Sequence, residues 1–434
     1  QAAQLHAFAT DRPEVDVRDI AHALATTRTA FEHRAAVIAH ERGDLLDGLA
    51  ALQEGRPSPN VVTGPADHRP RGKTAFLFTG QGSQRAGMGR ELHNASPVFA
   101  AAFDKACEAF TPHLPHPLRD VMWADPDTDP DTAALLHQTH YTQPALFTLH
   151  TALHHLALHT GLLPDYLTGH SIGELTAAHL AGVLTLTDAA TLIATRARLM
   201  QQLPPGGAMI ALQATENDIH PLIAGHEHHL AIAAVNSPTS LVIAGDHHAA
   251  TTLATTWAEQ GHKTKTLNVS HAFHSPHMDP VLDPLHHLAT TLTYQEPHTP
   301  VISNLTGQIA TTQQLTDPHY WTHHVRTTVR FADTLTTLAH HHTTTYLELG
   351  PDTTLTTLTT DTLTDNNPNI LATAALHPRR PETHTWLHTL AQLHTHGTPI
   401  DWTTHTTPTT NHPVDLPTYA FQHQRYWLTH TPTT

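Results

Sequence analysis

The sequence contains one cysteine, Cys107, among its 434 residues. An internal disulfide is therefore excluded, and so is a zinc site built from several thiolates. Charged residues make up only 14% of the chain, and 22 basic residues stand against 38 acidic ones, which gives a net charge of −16. This balance argues against nucleic-acid binding and requires local arginines to hold any anionic ligand. No run of about 18 apolar residues occurs, so we expect no transmembrane helix.

The single thiol is predicted to be structural. Cys107 lies in the amphipathic segment 99–110, which favours a small core residue over a nucleophile. So little cysteine also fits a reducing, cytoplasmic compartment. Because the sequence begins at Gln1 in a stretch with the character of a helix interior, we expect it to be a segment of a longer polypeptide.

Histidine is abundant, with 44 residues, so the net charge depends on mild acid. Clusters at 226–229 and 340–342 carry metal-ligating side chains. However, histidine and threonine recur together along the whole chain, and no His-Glu-x-x-His pattern occurs. We interpret the clusters as exposed residues of a biased composition and expect no metal.

The most informative local pattern is Gly-x-Ser-x-Gly within Gly169–Glu174. Residues 166–168 are predicted to end a buried strand, and 174–183 are rich in alanine and leucine at helical spacing. The pattern therefore lies on a strand–turn–helix, where a serine hydroxyl is exposed at the N-terminus of a helix. Taken alone, Ser171 is either a nucleophile or part of an ordinary turn.

The first section of the chain precedes a second glycine-flanked turn. Helical patterns cover 17–39 and 45–52, and the apolar run Thr74–Thr79 is typical of a buried parallel strand. Gly80–Gln84 follows and lacks the Lys-Ser/Thr of a phosphate-binding loop, so it is either a tight turn or part of an active site. In the second case the N–H of Gln81 would stabilise an oxyanion.

Residues 205–269 have a pattern of their own. Predicted strands and helices alternate as β-α-β-β-α-β, which is the ferredoxin-like order. The predicted elements are strands 208–214, 230–235, 240–244 and 263–269 and helices 216–223 and 248–260. We expect a small subdomain inserted into a larger α/β body.

A serine nucleophile needs a base, since a free hydroxyl is barely ionised at neutral pH. The candidate is His274 in His271–His277, which follows the last strand of the small subdomain. Arg196 lies late in a predicted helix and is either solvated, as most such arginines are, or buried beside the nucleophile. In the buried position it would clamp a carboxylate.

Five motifs in order along the chain resemble the acyltransferase domain of modular type I polyketide synthases, a family related to malonyl-CoA:acyl-carrier-protein transacylases. They are Phe78–Gln84, Gly169–Glu174, Arg196, Asn236–Pro238 and His271–Ser275. The resemblance covers nearly the whole chain. It implies an α/β fold with an α/β-hydrolase-like large subdomain built on a parallel sheet, an inserted ferredoxin-like (βαββαβ) small subdomain and an α/β N-terminal linker region.

The resemblance also implies where these parts begin and end. A ketosynthase-to-acyltransferase linker would occupy 1–72, and a post-acyltransferase linker 365–434. The large subdomain would comprise 73–204 and 270–364, on either side of the small subdomain at 205–269. The final linker would end in a signature that runs from Leu416 through Arg425–Trp427.

The same resemblance implies roles for individual residues. Catalysis falls to Ser171 and His274, and the oxyanion hole to the backbone of Gln81 and Ile172. A backbone carbonyl near His324 would orient His274. The substrate-binding residues it implies are Arg196, which would hold the free carboxylate of a dicarboxylic acyl group, together with Phe273, Asn236 and His170.

The motif His-Ala-Phe-His at 271–274 resembles the malonyl-selecting form, whereas Tyr-Ala-Ser-His accompanies methylmalonyl. The bulk of Phe273 would fill the space that an α-methyl group needs, and Ile172 after the nucleophile agrees. Discrimination by size is worth only ~1–3 kcal/mol. Methylmalonyl or another acyl group remains the alternative donor.

The implied donor is malonyl-CoA and the acceptor is the phosphopantetheine thiol of an acyl carrier protein, with no tightly bound cofactor. The implied partners are this carrier protein and a ketosynthase domain of the same polypeptide, with neither nucleic acid nor membrane. Arg379 and Arg380 are candidates for docking an acidic carrier protein. We expect the isolated segment to be a monomer.

Two rival functions use the same residues differently. An α/β-hydrolase such as a thioesterase has the same serine turn but expects an acidic residue and then histidine after it. The inserted subdomain and Arg196 argue against that reading. A catalytically inactive scaffold would use the linkers alone, which the presence of both Ser171 and His274 disfavours.

Overall fold

The computed structural model describes residues 1–65, 72–365, 367, 369–410 and 414–419. The chain divides into two compact units, one of residues 1–68 with 400–434 and one of residues 69–399. The predicted Arg425–Trp427 signature lies outside the described residues. Within the described ranges, no helix has the length and apolarity needed to cross a membrane.

The described part of the first unit is a small α/β assembly. Its elements are α1 (Ala2–Asp11), α2 (Val17–Thr27), β1 (Ala35–Val37), α3 (Arg42–Glu54), β2 (Val61–Thr63) and a 3-10 turn at Trp402–Thr404. Strands β1 and β2 pair antiparallel. The helices bury Leu5, Ile20, Leu45 and Leu49 against one another and against Leu416 from the end of the chain.

The helix predicted across 17–39 is wrong beyond Thr27. The hydroxyl of Thr27 bonds back to the carbonyl of Ala23 in the last turn, and the next residue, Arg28, is extended. Phe31, which fitted the helical pattern, is 55% exposed. The chain instead forms β1, because pairing with β2 satisfies its backbone.

The second unit is larger. Its strands are β3 (Lys73–Phe78), β4 (Tyr166–Gly169), β5 (Gly207–Leu212), β6 (Leu230–Ser237), β7 (Ser240–Asp246), β8 (Thr264–Thr266), β9 (Val301–Ile302), β10 (Thr343–Leu349) and β11 (Leu371–Ala374). The helices of its first half are α4 (Arg90–Ala95), α5 (Pro97–Phe110), α6 (Leu118–Trp123), α7 (Pro130–Leu135), α8 (Thr139–His159), α9 (Ile172–Leu180) and α10 (Leu186–Gln201). Those of its second half are α11 (Glu216–Ile223), α12 (His247–Glu259), a 3-10 turn at Pro276–Met278, α13 (Asp279–Ala289), α14 (Thr312–Leu315), α15 (Pro318–Arg326), α16 (Phe331–His340), α17 (Thr354–Leu363) and α18 (Glu382–Thr395).

A parallel sheet of order β11-β10-β3-β4-β9 runs through the described part of this unit. Residues 75–78 of β3 are fully buried, as expected for a central strand covered on both faces. The carboxyl ends of the three central strands coincide, since Phe78 is paired with both Gly169 and Leu349. The loops after β3 and β4 therefore leave the sheet side by side.

The predicted ferredoxin-like arrangement is confirmed, with its strands and helices between residues 207 and 266. Strands β5 to β8 form an antiparallel sheet in the order β6-β7-β5-β8, with α11 and α12 as the connecting helices. Their core includes Ile210, Ile232, Ile243 and Trp257. Only β8 is clearly shorter than predicted.

The body of the second unit extends beyond the predicted boundary at residue 365. Strand β11 pairs in parallel with β10, so the sheet includes residues that were assigned to the post-acyltransferase linker. Helices α18 and α4 are bonded to each other by two glutamate side chains, one from each helix. Glu382 accepts hydrogen bonds from the N–H groups of Gly89, at 2.8 Å, and Leu92, while Glu91 accepts from the N–H of Glu382 at 2.7 Å. Each carboxylate caps the N-terminus of the other helix.

We predict that Glu382→Ala lowers the free energy of unfolding by about 3 kcal/mol, because it leaves the partly buried Arg85, 2.8 Å away, and the N-terminus of α4 without an acceptor. Urea denaturation of the whole chain measures this. Glu259→Ala, on the exposed end of α12, is the control and should change stability by less than about 0.5 kcal/mol. Equal effects of the two substitutions would show that the hydrogen bonds of Glu382 do not stabilise the contact between α18 and α4.

Candidate active site

The predicted strand–turn–helix around Ser171 is present at the carboxyl edge of the parallel sheet. Ser171 lies between β4 and α9 with φ 52° and ψ −112°, a conformation that L-residues adopt only when the surroundings enforce it. A Cβ at Gly169 would lie 2.0 Å from the carbonyl carbon of Gly173, and one at Gly173 would lie 2.1 Å from the carbonyl oxygen of Phe78. The two glycines therefore allow helix and strands to approach closely enough to hold the turn.

The nucleophile candidate and the base candidate are in contact. Ser171 Oγ lies 2.8 Å from His274 Nε2, and His274 Nδ1 lies 2.9 Å from the carbonyl oxygen of Thr327. Because a carbonyl only accepts, Nδ1 carries the proton and Nε2 is free to accept the proton of Ser171. The orienting carbonyl was expected near His324 and belongs to Thr327, the residue that follows α15.

His274 is buried, and like Ser171 it has a positive φ, 56°. Its pKa lies well below the usual value for histidine because burial removes water from the charged form. The neighbouring His324, Arg196 and His170 lower it further. The imidazole is therefore neutral near pH 7, which is the state that a general base needs.

Arg196, in α10, is the third residue at this point. One guanidinium nitrogen, Nη2, lies 3.2 Å from Ser171 Oγ, and Nη1 donates to Gln143 Oε1 at 2.6 Å. The side chain is only 2% exposed, and burial lowers its pKa to about 9. No carboxylate among the described residues pairs with it. The alternative of a solvated or helix-capping arginine is wrong for Arg196, whereas Arg198 bonds to Gln202 on the exposed side.

The remaining substrate-binding candidates are His170, Asn236 and Phe273. His170 Nε2 lies 3.0 Å from Asn236 Oδ1 at the end of β6, and burial lowers the pKa of His170. Phe273, directly before His274, is 8% exposed and lies against the ring of His271 at 6.1 Å. The small subdomain thus contributes Asn236 to the neighbourhood of the turn.

The oxyanion-hole candidates are backbone groups. Ile172 is the first residue of α9, so its N–H has no carbonyl one turn earlier to bond to within the helix. Gln81 is in the loop after β3, beside the turn, since the N–H of His170 bonds to the carbonyl of Phe78 at 2.9 Å. The side chain of Gln81 is held by Thr139, 3.3 Å away.

Sequence reasoning missed Gln143, Asn304 and Thr327 and gave Glu174 no role. Glu174 is a buried carboxylate inside the mostly apolar helix α9, and this contrast was a usable signal. Gln143 lies in α8 among many threonines and histidines, so its residue type does not stand out. Thr327 acts through its backbone, so its residue type carries no signal. Asn304 is distant from Ser171 in sequence and lies beside the turn only in the folded chain, so no local pattern indicates it.

Other candidate groups are placed elsewhere. Within the described residues, no three histidine, cysteine, aspartate or glutamate side chains come together as metal ligands. Burial raises the pKa of the Cys107 thiol to about 12, which disfavours a reactive thiolate. Arg379 and Arg380 are exposed between β11 and α18.

Comparison with known proteins gives the same picture. The family described as acyl transferase domain matches residues 75–399, and one described as CurL-like, PKS C-terminal, matches residues 1–49. The spectinabilin polyketide synthase system protein NorB of Streptomyces orinoci is 44% identical over 431 residues, which are 98% of this chain and 20% of NorB. Polyketide synthase GfsA of Streptomyces halstedii is 42% identical over 430 residues, 99% of this chain and 6% of GfsA. The chain thus spans a small part of these relatives.

Solved structures agree with this assignment. The acyltransferase domain from the second module of the salinomycin polyketide synthase has a TM-score of 0.83 and 44% identity, with 96% of each chain covered. Malonyl-CoA:acyl carrier protein transacylase (FabD) of Xanthomonas oryzae pv. oryzae has a TM-score of 0.65 and 28% identity, with 74% of this chain and 98% of that one covered. Since the family match covers most of the chain and the fold agrees, this chain belongs to the acyltransferase domains of polyketide synthases.

Proposed function

We propose that this domain loads a malonyl group from malonyl-CoA onto Ser171 and passes it to the phosphopantetheine thiol of an acyl carrier protein. The observation that carries the proposal is the buried guanidinium of Arg196, which reaches Ser171 Oγ and has no carboxylate partner among the described residues. A buried cation without a counter-ion is costly, and a ligand carboxylate would compensate it. The free carboxylate of a malonyl group meets this need beside the nucleophile.

In the first half-reaction, His274 Nε2 takes the proton of Ser171 as Oγ attacks the thioester carbonyl. The oxyanion accepts hydrogen bonds from the backbone N–H groups of Gln81 and Ile172. When the tetrahedral intermediate collapses, the C–S bond breaks and His274 returns the proton to the departing thiolate of coenzyme A. Malonyl-Ser171 and free coenzyme A remain.

In the second half-reaction, His274 takes the proton of the carrier-protein thiol, whose sulfur attacks the malonyl ester. Collapse of the intermediate returns the proton to Ser171 Oγ and releases the malonyl thioester. Arg196 holds the acyl carboxylate throughout, which keeps the ester in one orientation. A backbone carbonyl, at Thr327, in place of the acidic third member of a hydrolase triad, supports acyl transfer over the thioesterase alternative.

Selection of malonyl over methylmalonyl is assigned to Phe273. Its side chain is 8% exposed and directly precedes the base in sequence. In this proposal its ring fills the space that an α-methyl group would require. The expected preference is moderate, because a single methyl group is worth only ~1–3 kcal/mol. This corresponds to about a 10- to 200-fold difference in kcat/KM.

The partners follow from the reaction and from the linkers. A carrier protein must present its thiol, and the −16 charge of this chain requires a local basic patch to receive an acidic one. Arg379 and Arg380 are exposed, and Arg380 lines a shallow surface depression with Arg85 and Arg90, where Glu91 and Glu382 also lie. The unit formed by residues 1–68 and 400–434 is proposed to connect the domain to a ketosynthase of the same polypeptide.

We predict that Ser171→Ala abolishes covalent labelling by radioactive malonyl-CoA, because among the described residues the hydroxyl that bonds to His274 Nε2 is that of Ser171. Labelled protein is detected after denaturation and gel electrophoresis. Ser240→Ala, on β7 of the small subdomain, is the control and should be labelled like the wild type. Labelling of the Ser171→Ala protein would overturn the assignment of the nucleophile.

We predict that Arg196→Ala lowers kcat/KM for malonyl-CoA by about 100-fold or more, as expected for loss of a buried charge pair. The ratio of kcat/KM for acetyl-CoA to kcat/KM for malonyl-CoA should rise in this variant. Release of coenzyme A from malonyl-, methylmalonyl- and acetyl-CoA measures all three donors. Arg198→Ala, on the exposed side of the same helix, is the control. An unchanged order of preference among the donors in the Arg196 variant would contradict the role of Arg196 in binding the carboxylate. Equal rates with malonyl-CoA and methylmalonyl-CoA in the wild type would contradict the role of Phe273.

The low pKa of His274 predicts the pH dependence of acylation. The base works when neutral, and a lowered pKa means that it becomes protonated only at a lower pH. The acid limb of kcat/KM for malonyl-CoA should therefore lie below about 6.5, the usual histidine pKa. Rapid-quench measurements from pH 5 to 8, with circular dichroism to verify folding, test this. A midpoint at or above 6.5 would contradict it.

A further inference from the structure

A buried asparagine connects the turn of the nucleophile to the helix that orients the base. Asn304 follows β9 and is 1% exposed. Its Nδ2 donates to the carbonyl of Gly169 at 2.6 Å, and its Oδ1 lies 3.1 Å from His324 Nε2. Gly169 is the last residue of β4, two positions before Ser171.

The directions of these bonds follow from the chemistry of the groups. The carbonyl of Gly169 can only accept, so the amide nitrogen of Asn304 must face it and the amide oxygen must face His324. That oxygen also only accepts, so Nε2 of His324 carries the proton and donates. Exchanging either partner for an apolar residue therefore leaves a buried polar atom unpaired.

His324 connects Asn304 to the helix that precedes Thr327. It lies in α15, and the residue that follows this helix is Thr327, whose carbonyl accepts from His274 Nδ1. His274 in turn contacts Ser171. Ser171 is therefore joined to Asn304 by two routes. One passes through His274, Thr327 and α15, and the other passes through the turn at Gly169.

A buried carboxylate ties the same two elements together a second time. Glu174, in the first turn of α9, is fully buried and accepts from the backbone N–H of Asn304 at 2.7 Å. It also accepts from the hydroxyl of Tyr320 in α15, and its Oε2 lies 3.4 Å from His324 Nε2. The N-terminus of α9 and the helix α15 are therefore held to each other through Asn304 and Glu174.

We propose that Asn304 is a positioning residue that, through His324, sets the distance and angle between Ser171 Oγ and His274 Nε2. This inference depends on the proposed roles of Ser171 and His274 in acyl transfer. Both residues have a positive φ, which is maintained only by surrounding contacts. A displacement of about 1 Å between reacting groups can cost about 100-fold in rate. Asn304 touches neither reacting atom, so it acts on kcat and not on donor binding.

The experiment compares single-turnover acylation by malonyl-CoA in the wild type and in variants of Asn304 and His324. Asn304→Ala and His324→Leu should lower the acylation rate constant by about 30- to 100-fold, with KM for malonyl-CoA within about 3-fold of the wild type. His324→Gln retains an N–H donor at the Nε2 position and should remain within about 3-fold of the wild type. Reaction of Ser171 with an uncharged sulfonyl fluoride should fall in parallel, because this probe does not need Arg196.

Thr389→Val is the matched control, since it removes another buried side-chain bond to a carbonyl, that of Ala374, at the far edge strand β11. It should lower the melting temperature without changing the acylation rate. An unchanged rate constant in Asn304→Ala, or equal rates in His324→Leu and His324→Gln, would overturn the proposal. Should Asn304→Ala fail to fold, the His324 pair decides. Absence of label on wild-type Ser171 would instead refute the proposed function.

Discussion

The candidate site depends on one constraint, which is the conformation of Ser171 between a strand end and a helix start. A positive φ at a residue with a side chain costs of order 1–3 kcal/mol, and the surrounding structure must supply it. Close approach at Gly169 and Gly173 and the bond from Asn304 provide that support. The same turn aims the hydroxyl at His274 and places the N–H of Ile172 at the free end of α9.

Two buried groups beside this hydroxyl differ in charge, since one is a cation and the other is neutral. Burial lowers the pKa of both Arg196 and His274. The pKa of the guanidinium is still about 9, so it remains a cation near pH 7, whereas the imidazole is neutral. The cation also lowers the pKa of the imidazole. The pair therefore combines a proton acceptor with a fixed positive charge within 3.2 Å of one oxygen, and this combination suits an anionic acyl group.

Sequence patterns predicted the parts of the fold that have local causes. The subdomain at 205–269 alternates in ways that each strand and helix determines for itself, so its order was predicted correctly. The helix across 17–39 was predicted too long, since the pairing of β1 with a strand on the far side of α3 is not visible locally. Strand β11 was missed because four residues give little periodicity. Thr327 and Asn304 act through a backbone carbonyl and a long-range contact, which no local motif reports.

The candidate site uses several main-chain groups, and this helps to explain how the chain tolerates its high content of histidine and threonine. Three of the groups that would surround the reacting carbonyl and the imidazole are peptide N–H or C=O groups, at Gln81, Ile172 and Thr327. Exchanging the side chain at such a position leaves the amide in place, provided that the local backbone conformation survives and that proline does not remove an N–H. Enrichment in histidine and threonine across a gene could therefore proceed through these positions while the chemistry is retained, and selection would act mainly on Ser171, His274 and the few residues that hold them.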